Sequence, residues 1–266
     1  MQGSQERPSW QLSSVRNAAR LLKEFSHTDR ELGVSELARR LGLGTSTVHR
    51  MLATLTAERL LERGTTPGSY RLGLAVFELG ASASARLDLH EAALPVMASL
   101  RHSTRETVHI AVLDGLEVVF VERLESPQTV RIFSRVGNRL PAYCTSTGKV
   151  LLAALPPEVL AERLTGWRPK RFTAHTITDP AALVAQLRVV AERGWSVNAE
   201  ESRLGLSSVG APIRDAEGIV IAALSIAWPV DRHGGSALRR HTALVRDAAG
   251  VISRRLGCQR PPSRPR

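Results

Sequence analysis

Apolar side chains recur at helical spacing three times before residue 60. Ser13 or Ser14 can cap a first helix, after which Val15, Ala18, Leu22 and Phe25 fall on one face. A second helix is expected from about Ser35 to Leu41, with Leu37, Ala38 and Leu41 inward and Gly42 as a left-handed stop. A third starts at Thr45, which can cap it, and Val48, Met51, Leu52 and Leu55 follow on one stripe. Leu60 and Leu61 then open an extended segment. Thr66-Pro67-Gly68-Ser69 reads as a type II turn, because proline suits its second position and glycine its third. Tyr70, Arg71 and Leu72 return, which completes a small hairpin, or wing.

Beyond the wing the pattern changes. Leu74 to about Arg86 is Ala-rich and helical, a connecting helix, and His90 to His102 is another helix. Val108–Leu113 and Glu117–Leu124 flank Asp114-Gly115, a hairpin signal. Thr145–Leu155, Pro157–Leu164 and Pro180–Gly194 look helical. Leu206–Ile213 and Ile219–Ala227 look like strands, and Ser236–Leu256 is a closing helix. The expected organisation is a winged helix-turn-helix over 12–73, a linker helix over 74–88, an α+β domain over 89–257 and a disordered tail over 258–266.

The segment from Leu37 to Met51 carries the chemistry of a helix-turn-helix. Such a motif needs a small residue where two helices touch, here Ala38, and a positive φ four residues later, here Gly42. Leu43 fills the gap and Val48 packs back on Ala38. The fragment alone fits an ordinary helical hairpin equally well; the wing tips the reading toward DNA. Ser35, Thr45, Ser46, Thr47, His49, Arg50 and Thr54 then face outward, as hydroxyls, an imidazole and one guanidinium suited to phosphates and base edges. Arg63 and Arg71 flank the wing and are placed to reach the adjacent backbone or minor groove.

Charge changes this picture little. The formal net charge is +11, from 36 Lys+Arg against 25 Asp+Glu, so polyanions are natural partners. Yet residues 1–73 hold 11 basic and 7 acidic groups, a modest excess, while 254–266 hold five arginines, three prolines and no acid. No run of 18 apolar residues suggests a membrane span. The polar start, Met1 to Trp10, carries no apolar signal core, so a cytoplasmic protein is expected. Cys144 and Cys258 form no close pair, which fits a reducing compartment. Gly148-Lys149 is no phosphate loop, since no glycine stands five residues earlier and Val150 replaces the hydroxyl. Ser146 lacks the preceding glycine of a nucleophile elbow. Leu94 stands where a zinc helix beginning His90-Glu91 needs its second histidine. Neither an enzyme, a metal nor a cofactor is expected.

The string Leu37 to Leu55, the Leu-Leu-Glu-Arg after it and Tyr70-Arg71-Leu72-Gly73 resemble the DNA-binding half of IclR-type regulators. The resemblance continues through Thr145-Ser146-Thr147-Gly148-Lys149-Val150 and through Gly194, Glu201, Ser208, Val209, Gly210, Ile213 and Asp215. Asn198 departs from it where Asp or Ser is usual, and Arg214 where an aromatic or His is usual. It implies a GAF-like effector domain with a mainly antiparallel sheet flanked by helices, and an effector held by Ser146, Thr147, Gly148, Asn198, Ser208 and Ser225. On the residues alone, the hydroxyls at Thr145–Thr147 read either as helix caps or as a carboxylate site. Leu140, Leu152 and Leu206 are candidate apolar walls, and Ala227 sits where a small polar residue often occurs.

The expectation is therefore a transcription regulator that binds a palindromic operator in double-stranded DNA as a dimer or a dimer of dimers. A small-molecule effector, an organic acid with aromatic acids included, would control it. The alternative is a constitutive DNA-binding protein whose C-terminal domain only oligomerises.

Overall fold

A computed structural model gives the fold, described here over residues 12–25, 31–85, 89–128, 135–232 and 237–259, the side chains of 81–85 excepted. The chain divides into two units, 1–86 and 87–266.

The first unit runs α1 (Ser13–Glu24), β1 (Leu32–Gly33), α2 (Val34–Leu41), α3 (Thr45–Ala57), β2 (Leu61–Arg63), β3 (Ser69–Leu72) and α4 (Leu74–Ala85). Its core is Leu21 and Phe25 from α1, Leu37, Ala38 and Leu41 from α2, and Val48, Leu52 and Leu55 from α3. Leu61 and Tyr70 of the wing close it. The apolar stripe of α1 is rotated from the expected one: Leu21 is fully buried and Val15 is 63% exposed. The expected caps also differ. Leu12 and Gly44 hold the cap positions of α1 and α3 without a side-chain bond. Ser13, Ser14 and Thr45 are therefore helical residues, because each helix starts earlier than its first hydroxyl suggests.

The helix-turn-helix turn follows the sequence closely. Gly42 has φ 67°, and the Leu43 amide donates to the Ala38 carbonyl at 3.0 Å. That bond satisfies an end carbonyl of α2 and aims the chain into α3. The wing turn has Gly68 at φ 79°, with the Ser69 amide donating to the Thr66 carbonyl at 3.0 Å. Strand β1 was not legible: it is two residues long and extends the wing to a three-stranded sheet in the order β1-β3-β2. Glu31, just before it, holds the wing tip. Its carboxylate accepts from the Thr65 amide and hydroxyl, both at 2.8 Å, from the Thr66 amide at 3.2 Å and from the Ser69 hydroxyl at 2.7 Å. These donors, the Thr65 amide foremost, pull its pKa down to about 2.

The second unit contains α5 (Leu89–Thr104), β4 (Thr107–Asp114), β5 (Glu117–Leu124), β6 (Arg139–Pro141), a 3-10 turn (Ala142–Cys144), α6 (Ser146–Ala153) and α7 (Pro157–Leu164). Then follow α8 (Pro180–Arg193), β7 (Ser196–Ala199), β8 (Leu206–Arg214), β9 (Val220–Pro229) and α9 (Ala237–Arg255). The strands form one antiparallel sheet in the order β6-β5-β4-β9-β8-β7. The short edge strands β6 and β7 were not anticipated. Asp114 pairs with Glu117, so the hairpin loop is Gly115-Leu116 with Gly115 at φ 63°, one residue beyond the expected Asp-Gly turn.

The period-2 alternation of the central strands decides where space is left. Val108 and Ile110 of β4 and Leu224, Ile226 and Trp228 of β9 pack under α5 and α9. The alternate residues turn to the face covered by α6 and α8. On β9 these are Ala223, Ser225 and Ala227; on β8 they include Ser208 and Gly210. Small side chains on that face leave unfilled volume beneath the start of α6. Cys258, assigned by sequence to the tail, is buried, its amide donating to the Ser253 carbonyl at 3.0 Å. Residues 260–266 of that tail, and 86–88 of the expected linker, lie outside the described residues. Among the described residues no helix is long and apolar enough to cross a membrane.

Candidate nucleic-acid interface and ligand pocket

Helix α3 buries Val48, Leu52 and Leu55 and exposes Thr45, Ser46, Thr47, His49, Arg50 and Thr54. Ser35 is exposed in the first turn of α2. His49 and Arg50 have no hydrogen-bond or ionic partner among the described residues. Arg39 and Arg40, by contrast, both bond Glu36. The Thr54 hydroxyl is engaged, donating to the Arg50 carbonyl at 3.0 Å. Arg63 is exposed and lies over the Tyr70 ring, 4.6 Å from its centroid. Arg71 pairs with Glu62, its cross-strand neighbour, at 2.7 Å, which offsets part of its charge.

In the second unit a cavity of about 190 Å³ opens beneath the α6 start. It is lined by Thr145, Ser146 and Thr147; by His109, Phe120 and Leu140; by Asn198, Ser202, Arg203 and Leu206; and by Ser208, Ser225 and Ala227. Five of the six residues expected to hold an effector meet there. Gly148 does not line it. A Cβ on Gly148 would stand 2.3 Å from the Ala142 backbone, so this glycine lets α6 press on the 3-10 turn. Leu152 is core, with no exposed surface, and is not a wall.

Both readings of the hydroxyl cluster hold, for different residues. Thr145 is the cap, its Oγ1 accepting from the Gly148 amide at 3.0 Å. Ser146 Oγ bonds Ser208 Oγ at 2.8 Å. The Thr147 and Ser225 side chains have no partner among the described residues, although their residues are only 2% and 3% exposed. The Ser146 and Thr147 amides likewise find no acceptor. Two amides at a helix start and two buried hydroxyls therefore converge on one cavity with donors to spare, which suits an oxyanion. Gly210 keeps α6 close: a Cβ there would lie 3.0 Å from the Ser146 backbone.

Asn198 lines the cavity but is spent on its own loop. Its Oδ1 accepts from the Glu201 amide at 2.8 Å and its Nδ2 donates to Ser202 Oγ at 3.0 Å. Thr173 and Thr176 hold the Glu200 and Glu201 carbonyls at 2.7 Å each. Lys149, with no exposed surface, projects from α6 to pair with Glu201, so the loop is tied to the helix behind the pocket. Burial lowers the lysine pKa against the pull of Glu201. Burial, then the neighbouring Glu201, pushes the Cys144 thiol up to about 12, which makes it inert. On the floor, burial first and then Arg123 lower His109 to about 3, so the imidazole is neutral.

His109, Phe120, Ser202 and Arg203 were missed by sequence reasoning. Only His109 left a trace, as a titratable side chain within the apolar run Val108 to Leu113.

The first unit thus carries a helix-turn-helix with an exposed polar face, and the second a polar cavity with hydrogen-bond donors to spare. The description of the bacterial transcriptional regulator IclR C-terminal domain matches residues 81–254, and that of the IclR helix-turn-helix domain matches residues 14–64. The chain is similar to the HTH-type transcriptional regulator KdgR of Escherichia coli, 36% identical over 246 residues, 92% of this chain and 93% of that one. It is also similar to the regulator XynR of the same bacterium, 32% identical over 92% of this chain and 98% of that one. Among solved structures, an IclR homolog from Microbacterium hydrocarbonoxydans complexed with 4-hydroxybenzoate superposes with a TM-score of 0.82 at 34% identity, covering 92% of this chain and 99% of that one. The chain belongs to the IclR family of transcriptional regulators, and it is not an enzyme.

Proposed function

We propose that the protein is a cytoplasmic regulator that binds a palindromic operator as a homodimer or dimer of dimers, and that an organic carboxylate in the pocket alters this binding. Thr45, Ser46, Thr47, His49 and Arg50 would meet the duplex from α3, with Ser35 and Thr54 beside them and Arg63 and Arg71 on the wing. Ser146, Thr147 and Ser225 would hold the carboxylate. Ser208 orients Ser146, and Asn198 shapes the loop that forms one wall. The observation that carries the ligand reading is the pair of buried, unpartnered hydroxyls beside two free amides. The relative that holds 4-hydroxybenzoate supports an acid of this size. The acid acts only through its difference in affinity for the DNA-competent and DNA-incompetent states.

Arg50→Ala tests the DNA half. The residue is exposed and has no partner among the described residues, so the fold is expected to survive. Specific operator binding is expected to weaken by about 1–3 kcal/mol in an anisotropy titration, with less effect on a scrambled duplex. Unchanged operator affinity would overturn the placement of the reading face.

A further inference from the structure

We infer that the pocket is built for an acid with a second anionic group, held at one end by the α6 start and at the other by Arg203. The inference rests on the proposed role of this cavity and adds the class of ligand.

Strand register lays out the floor. His109, Ser225 and Gly210 are direct neighbours across β4, β9 and β8, and the α6 start lies against Gly210. Two residues along, Ala227, Ser208 and Asn198 form the next row. That row leads to the loop after β7, which brings Ser202 and Arg203 to the cavity. The two polar ends thus come from different elements, Phe120 and Leu140 add apolar lining, and the exposed Arg203 marks the cavity's opening.

Arg203 is an exposed cation at that opening with no ionic or hydrogen-bond partner among the described residues. Both acids beside it are engaged elsewhere. Glu200 accepts from the Gly205 amide at 2.7 Å, and Glu201 pairs with Lys149. The loop is fixed through Thr173, Thr176 and Asn198. Its backbone is therefore set before any ligand arrives, so little ordering opposes a contact to the guanidinium. A neutral imidazole and hydroxyls line the middle, and Arg123, the cross-strand neighbour of His109, is paired with Glu125. Among the lining residues Arg203 alone therefore carries formal positive charge, while amides and hydroxyls supply the other end. Anionic groups at both ends of a short ligand satisfy both; a monoacid leaves the arginine in water.

The test uses the full chain and linear dicarboxylates from malonate to adipate. Each is compared with the monocarboxylate of equal carbon number at fixed ionic strength, by thermal shift and calorimetry. Wild type is expected to bind at least one diacid about tenfold more tightly than its monoacid, the size of one charge-assisted contact open to solvent. Arg203→Gln, at an exposed position, is expected to keep the unliganded melting temperature and lose that preference, with monoacid affinity within about twofold of wild type. Thr147→Val is expected to lose both acids. The diacid preference should also shrink in high salt, since the arginine end is exposed. A wild type that binds monoacids but shows no diacid preference overturns the inference, as does a preference that survives Arg203→Gln. If neither class of acid binds wild type, the reading of the cavity as an acid site fails, and this inference with it.

Discussion

Removing the Lys149 ammonium while keeping a side chain of similar length, as in Lys149→Met, isolates what the buried ion pair does. Lys149 is fully buried and Glu201 is 5% exposed, and Glu201 Oε2 already lacks a hydrogen-bond partner among the described residues. Without the lysine, the carboxylate is left in a low-dielectric site with only part of its bonding satisfied. Breaking one side of such a pair costs about 3–5 kcal/mol, because the remaining charge keeps its desolvation penalty without compensation. That is a large share of the roughly 5–15 kcal/mol that holds a typical domain together. For a unit of this size the melting temperature should fall by about 10 °C. Replacing both partners with apolar residues, Lys149→Met with Glu201→Leu, removes the orphan as well and should recover most of the loss. Urea unfolding of the two single variants and the double variant gives the coupling directly. A cost below about 1 kcal/mol for Lys149→Met, the scale of a solvent-exposed pair, or a double variant no better than the sum of the singles, would show that Lys149 and Glu201 do not form a desolvated pair.

Other outcomes follow from the same site. Thr145→Val removes the acceptor for the Gly148 amide and should cost about 1–2 kcal/mol in chemical denaturation. Gly148→Ala places a methyl against the Ala142 backbone and should cost about 1–3 kcal/mol by the same measurement. His109 stays neutral in the folded chain down to about pH 3, whereas in the unfolded chain it takes up a proton near 6.5. The unfolded state therefore binds the extra proton in that window, and stability should fall on acidification below about pH 6.5, by up to about 1.4 kcal/mol per pH unit. His109→Gln should flatten that slope; equal slopes in variant and wild type would contradict a buried neutral imidazole.

The helix-turn-helix was legible because its determinants are local. Ala38, Gly42 and Val48 act within one turn of backbone, and the type II turn needs only Pro67 and Gly68. Helix caps were less legible. Three hydroxyls sat near the right places, but Leu12 and Gly44 took the cap positions of α1 and α3. Most of the pocket lining could be read from the hydroxyl cluster before α6 and from the resemblance. The rest depends on strand register and on a loop. His109 and Ser225 meet only because β4 pairs with β9, and Arg203 enters through a turn with no periodic signal. The departure at Asn198 has a physical meaning that sequence did not show: its amide is consumed in shaping the loop that carries Arg203.

The most direct measurement is the affinity for an operator duplex, selected in vitro, with and without a saturating carboxylate that raises the melting temperature of the full chain. For wild type the affinity should change by about fivefold or more, in either direction, and for Thr147→Val the same acid should leave it unchanged. An acid that demonstrably binds the wild-type pocket yet leaves operator affinity where it was would contradict the account.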